Sequence, residues 1–205
     1  MRRFFNSESF LWRPLGVLGD LVVLSLLWTV LSLPLVTLGP ASAALYDAAV
    51  HGLRQREGAS LTRFLSTFRR ELKEGVLSSL FWLGLAFALG LALWAALRFL
   101  PVCAEHWPLM LSLALLAAFF LLGILCWVYP LLSRFTMGLS SLHVTALRLA
   151  LGYALRTAAM SLLWGAVLYT GLRFVAPLFL APALAALLCS ALIEPVFRPF
   201  EEEQD

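Results

Sequence analysis

The chain has 205 residues, 61% of them hydrophobic and 13% charged, with a net charge of +3 and a mean hydropathy of +0.90. A soluble domain is nearer 45–50% apolar and about 25% charged, and it cannot hide runs of twenty or more apolar residues, the length that spans about 30 Å of hydrocarbon. The basic residues flank those runs and form no stripe interleaved with aromatics, so the composition excludes an ordinary soluble domain and argues against nucleic acid as a partner.

Residues 1–14 are polar-aromatic and basic, with Arg2, Arg3 and Arg13. A first span is predicted over 15–38, with Asp20 near its start. Arg2, Arg3, the apolar run and Ala41-Ser42-Ala43 together imitate a secretory signal with its cleavage site. The run exceeds the 7–15 residues of such a signal, and further spans follow, so an uncleaved segment is expected. Leu33-Pro34 and Gly39-Pro40 break the span, because proline lacks a donor and disfavours helix in the residue before it. Pro34, Thr37, Gly39 and Pro40 then lead into a short helix, 41–53, in which Ala44, Ala48 and Gly52 form a small-residue stripe suited to close helix packing in lipid.

Residues 60–74 predict an amphipathic helix in the membrane interface. Leu61, Phe64, Leu65, Phe68 and Leu72 share one face, and Arg63, Arg69, Arg70, Lys73 and Glu74 occupy much of the rest. A second span, 76–97, carries Gly84, Ala88, Ala92 and Ala96 in one row, and a third covers 109–132 after a turn holding Glu105 and His106. A second amphipathic helix is predicted over 138–156, then spans over 158–175 and 177–193. The acidic tail, 198–205, is expected to be disordered. The expectation is one integral membrane domain over 1–205. It is an all-α polytopic bundle with five full spans, one re-entrant or shortened helix and two interfacial helices.

Lysine and arginine in short loops set orientation. If 41–53 crosses once more after the break, the basic segments divide thirteen inside to two outside; if it does not, the division is ten to five. Fourteen or so residues at about 1.5 Å each fall short of a full crossing. A re-entrant or shortened helix buried in protein reconciles the two, with both termini cytoplasmic.

Ionisable groups within spans are costly and are functional candidates by default. Asp20, Asp47 and Glu194 qualify. Asp20 and Glu194 are expected at cytoplasmic depth near Arg13, Arg134, Arg156 and Arg198, as a ring of paired charges or as interfacial residues satisfied by arginine and water. Asp47 follows a helix break, as binding-site carboxylates do in some transporters. Ser140 and His143 are three apart, yet no G-x-S-x-G turn and no third member accompany them, so no catalytic residue is expected. Cys103, Cys126 and Cys189 form no C-x-x-C, and with His51 and His106 they make no metal set, so no metal or cofactor is expected.

The run Leu33-Pro34-Leu35-Val36-Thr37-Leu38-Gly39-Pro40-Ala41-Ser42-Ala43-Ala44-Leu45-Tyr46 resembles the signature of the YesL family of bacterial multi-pass membrane proteins. Phe64-x-x-x-Phe68-Arg69-Arg70, Tyr129-Pro130-Leu131-Leu132-Ser133-Arg134-Phe135 and Ile193-Glu194-Pro195-Val196-Phe197 extend the resemblance. The chain departs from it in being rich in alanine, leucine and arginine, with the single lysine Lys73. The family is a domain of unknown function, often encoded beside sugar-uptake transporters in Gram-positive bacteria, and it brings no catalytic or binding residues to transfer. The resemblance implies a membrane accessory protein, with the bilayer and the membrane subunits of an ABC sugar importer as partners. The alternative is a small channel or secondary transporter, as a homo-oligomer, working through Asp20 and Asp47.

Overall fold

Backbone polar groups in hydrocarbon must be satisfied within their own segment, which favours helix wherever an apolar run is long. The computed structural model of the chain, which describes residues 7–54, 60–100, 105–174 and 176–202, contains eight α-helices and no strand among those residues. They are α1 (Ser7–Ser32), α2 (Leu38–Asp47), α3 (Ser60–Arg70), α4 (Leu72–Phe99), α5 (Trp107–Arg134), α6 (Leu139–Gly152), α7 (Ala154–Arg173) and α8 (Ala181–Glu202). A 3-10 turn, Leu35–Thr37, precedes α2; a π-helical stretch, Ala48–Arg54, extends it; and a second 3-10 turn, Ala176–Phe179, precedes α8.

The shortest apolar segment is the centre of the molecule. Helix α2 touches α1, α3, α4, α5 and α8, and all of its residues from Gly39 to Asp47 except Ser42 are buried. Its small side chains make this possible, since alanine and glycine let five neighbours approach one backbone. The two apolar cores lie on its two sides. Ala43, Tyr46 and Val50 face a cluster with Trp127, Leu142 and Phe197. Ala41, Ala44 and Leu45 face another with Leu24, Trp28 and Phe64. At about 1.5 Å per residue α2 is far too short to cross a bilayer; enclosure by protein removes the need to. The Ala41-Ser42-Ala43 triplet that imitates a cleavage site lies inside this helix, with Ala41 and Ala43 fully buried.

The expectation of five full spans is met in part. Among the described residues, two helices are long and apolar enough to cross a membrane, α4 and α5. The count rises to three if α6 and α7, bent by 103° at their junction, form one broken span. The apolar parts of α1 and α8, Gly16–Ser32 and Ala181–Phe197, are shorter. The predicted span 15–38 ends early because Leu33-Pro34 stops α1 at Ser32, where Thr37 donates a hydrogen bond back to the carbonyl of Leu31. The predicted helix 60–74 divides at Glu71, so that Leu72 already belongs to α4. The tail is not wholly irregular: the α8 backbone continues to Glu202.

The bend between α6 and α7 has a visible tie. Trp127 Nε1 donates to Thr157 Oγ1 at 2.9 Å, and that hydroxyl lies 3.0 Å from the carbonyl of Ala150 across the bend. Beside it, Gly123 of α5 lets α7 approach: a Cβ there would sit 2.7 Å from Thr157 Cγ2 and 2.9 Å from Ser161 Oγ.

Candidate functional site

A buried carboxylate needs donors, and Asp47, at the end of α2, has them on two elements. Thr67 Oγ1 donates to Asp47 Oδ2 at 2.6 Å and Arg63 Nε to the same oxygen at 3.3 Å. His51 Nδ1, one turn along the π-helical stretch, lies 2.8 Å from Asp47 Oδ1. Asp47 is therefore clamped between its own helix and α3.

This clamp explains which face of α3 points inward. The buried residues are Ser60, Phe64 and Thr67, whereas Leu61 and Leu65, which share the apolar face with Phe64, are exposed. An apolar stripe on an interfacial helix is expected to face lipid, and the exposure of Leu61 and Leu65 fits that, while Phe64 of the same stripe is buried in protein. The interior takes the donors, because Asp47 and Asp20 lie opposite. Leu61 and Leu65, with Arg69 and Arg70 beyond, remain on the outer surface.

Glu194 of α8 is held in the same manner. Arg134 Nη2 donates to Glu194 Oε1 at 2.6 Å and Tyr46 hydroxyl to the same oxygen at 3.1 Å. With Tyr46, the pair joins the end of α5 and the second half of α8 to the last turn of α2, and both charged groups are largely enclosed. Arg156 does not pair with Glu194; its Nη1 donates to the carbonyl of Leu192 at 3.2 Å. Asp20 is exposed, and its Oδ2 accepts from Ser60 Oγ at 3.2 Å. The expected neighbours Arg13 and Arg198 lie outside the described side chains.

The helix-packing residues divide by position. Pro34 is exposed and Thr37 half-buried at the break, while Gly39, Pro40, Ala44, Ala48 and Gly52 are buried. Gly39 meets α4 backbone to backbone: a Cβ on Gly39 would sit 2.4 Å from the Gly75 carbonyl oxygen, and one on Gly75 would sit 2.7 Å from Pro40. Ser79, one turn further, accepts the Gly39 amide at 2.7 Å. Gly75 and Ser79, four apart on α4, were missed as the partner surface of α2, although small residues at that spacing are the recognisable sign. Gly52 is equally tight, its Cβ position 2.5 Å from Ser60 Oγ.

The row Gly84, Ala88, Ala92 and Ala96 has no such role within the chain. A Cβ on Gly84 would meet nothing within 4 Å, and no described residue from 80 to 122 is buried. The outer arms of α4 and α5 thus stand apart from the bundle. Between them lies a cleft of about 340 Å³, lined by Ala86, Gly90, Ala114 and Ala117 among others.

His143 does not couple to Ser140. Its Nδ1 lies 2.6 Å from the carbonyl of Leu139, and Ser78 Oγ lies 3.3 Å from its Nε2. A hydrogen on Nδ1, with Ser78 donating to Nε2, satisfies both contacts. Ser78 is fully buried, and Phe81 and Trp82 stack around the imidazole. Among the described residues no group of three or more His, Cys, Asp or Glu is placed to hold a metal ion.

These features define a class: an all-helical bundle with apolar helices compatible with a membrane protein, clamped at one end by buried ion pairs. Residues 21–94 match the family described as "Protein of unknown function, DUF624", which corresponds to the YesL-like family, and the resemblance is borne out. That segment runs from the apolar part of α1 through most of α4 and includes the whole of α2. No curated protein and no solved structure matches the chain. The two resembling stretches beyond residue 94 pack on each other, through Arg134 against Glu194 and through Phe135 and Phe197, whose ring centroids are 5.7 Å apart.

Proposed function

We propose that the chain is an accessory protein of the cell membrane, and that its α4–α5 arms dock on the membrane subunits of an ABC-type carbohydrate importer. The observation that carries this reading is the unburied stretch from residue 80 to 122, with its apolar cleft lined by glycine and alanine alternating with leucine and methionine. Such a surface suits a neighbouring transmembrane helix, because association in lipid depends on close packing. The importer as partner comes from the setting in which the family's genes usually occur.

Orientation follows from the clamped end. Ser60 holds the first half of α1 through Asp20, and Arg134 holds the last half of α8 through Glu194. Arg70 Nη2 donates to the Ser133 carbonyl at 2.9 Å, so the start of α4 and the end of α5 share this side. Basic residues favour the cytoplasmic side, and this supports both termini being cytoplasmic. The partnering of Asp47 by Thr67, Arg63 and His51 favours a tether over a transport site in the alternative reading.

The test is co-purification from the native host in mild detergent, with wild type compared to Gly90→Phe. Importer membrane subunits should accompany the wild-type chain and be lost from a Gly90→Phe protein that stays monodisperse. A wild-type chain recovered alone as a defined homo-oligomer, with solute flux in vesicles that Asp47→Asn abolishes, would replace this reading with the carrier.

A further inference from the structure

A second cavity lies inside the bundle, between α1, α2, α5, α7 and α8. It measures about 90 Å³ and is lined by Trp28, Tyr46, Cys126, Trp164, Ala186 and Cys189, among others. Its polar atoms are engaged. Ser42 Oγ accepts from Trp28 Nε1 at 3.1 Å, and the Tyr46 hydroxyl donates to Glu194. A water or a sugar hydroxyl would therefore find few partners, and an apolar cavity of this kind stays dry. Among the lining residues Leu168 is exposed, and Leu38, Ser42, Leu122, Leu125 and Trp164 are half-buried. They mark the mouth. Leu122 lies within α5, one of the two helices of membrane-spanning length, and its outer neighbours Phe120 and Leu116 are exposed and apolar.

We infer that this cavity is a binding site for the end of a hydrocarbon chain of a bilayer lipid. A dry cavity forfeits dispersion contacts on its lining atoms, and an entering chain restores them. A cavity of about 150 Å³ admits benzene, and this smaller one, at about 90 Å³, has room for the end of an unbranched chain. Trp28 and Trp164, with ring centroids 5.4 Å apart and planes at 48°, both contribute to its lining. A chain seated there would brace α1 and α7 against α8 without touching the Glu194–Arg134 clamp. The inference rests on the membrane placement proposed above and needs no protein partner.

The test uses the full chain in vesicles of phosphatidylcholine that carries a diazirine at the terminal carbon of one acyl chain, with adducts mapped by mass spectrometry after illumination. Adducts should concentrate on the segments bearing Cys126 and Cys189, above the yield at Phe87 and Leu115, which are exposed on the outer arms. Ala186→Phe and the milder Ala186→Leu should abolish the cavity adducts and leave those at Phe87 and Leu115. Cavity adducts no stronger than those on the arms, or unchanged in a filled variant whose arm adducts persist, would overturn the inference. So would adducts formed by a free diazirine fatty acid and not by the phospholipid. Absence of adducts everywhere would instead overturn the membrane placement, and the cavity assignment with it.

Discussion

Asp47 and Glu194 are both buried carboxylates, and both act as fasteners between helices that are distant in sequence. Removing a neutral donor from a buried, charged acceptor costs about 1.5–3 kcal/mol. Thr67→Val, which deletes the 2.6 Å donor to Asp47, should therefore lower the melting midpoint of the purified protein in detergent, and Thr67→Ser should restore most of it. Equal midpoints for Thr67→Val and wild type would remove the clamp from the account. The second pair differs in kind, since Arg134 and Glu194 are both ionic and both enclosed. Breaking a buried pair from one side costs about 3–5 kcal/mol, whereas replacing both partners with apolar groups is often near neutral. Glu194→Leu should thus be much more damaging than Arg134→Leu combined with Glu194→Leu. A double variant that loses the sum of the two single losses would show that the two groups are not coupled.

Helix contacts in this chain are decided by backbone proximity, and two small-residue rows that look alike in sequence behave differently. Gly39 and Gly75 meet so closely that a methyl group on either must displace backbone. Gly39→Ala should reduce the yield of folded protein and lower its melting midpoint by an amount in line with the 1–3 kcal/mol typical of overpacking. Gly84→Ala meets open space and should be neutral or slightly stabilising, because glycine is about 1 kcal/mol less favourable than alanine in a helix interior. Comparing the two in one detergent melt separates a packing glycine from a merely small one. Equal behaviour would mean that α2 and α4 do not cross as described. The π-helical stretch after α2 adds a second effect of the same type, since it carries His51 back over Asp47 and packs Gly52 against Ser60.

The molecule has a bundle of clamped helices at one end and two unburied arms at the other. The 2.9 Å bond from Arg70 to the Ser133 carbonyl closes α4 and α5 into a hairpin whose turn, near His106, must lie on the far side of any bilayer it crosses. In a cysteine-free background, Glu105→Cys should be labelled on intact cells by a membrane-impermeant maleimide, and Arg69→Cys should be labelled only after permeabilisation. Labelling of both from one side would show that α4 does not cross. Reversed labelling would put the basic end outside and invert the orientation proposed here.

Composition and apolar run length were enough to establish the helical class and to locate α4 and α5 within a few residues of their ends. The Leu33–Tyr46 run was enough to show a resemblance, and it lies within the residues 21–94 that the family model matches. The carboxylates worth attention were also legible, because Asp20, Asp47 and Glu194 stand out in apolar surroundings. Their partners were not: Thr67, Arg63 and Tyr46 look ordinary in sequence, and only the crossing of α2 with α3 and α8 brings them within reach. Periodicity placed an apolar stripe on α3 but could not say which side faces protein, since in lipid both sides of a helix can be apolar at little cost. Run length pointed to five spans, and among the described residues two helices are long and apolar enough to cross by themselves. A segment such as α2 is apolar because five helices enclose it, and hydropathy alone cannot distinguish burial in protein from burial in hydrocarbon.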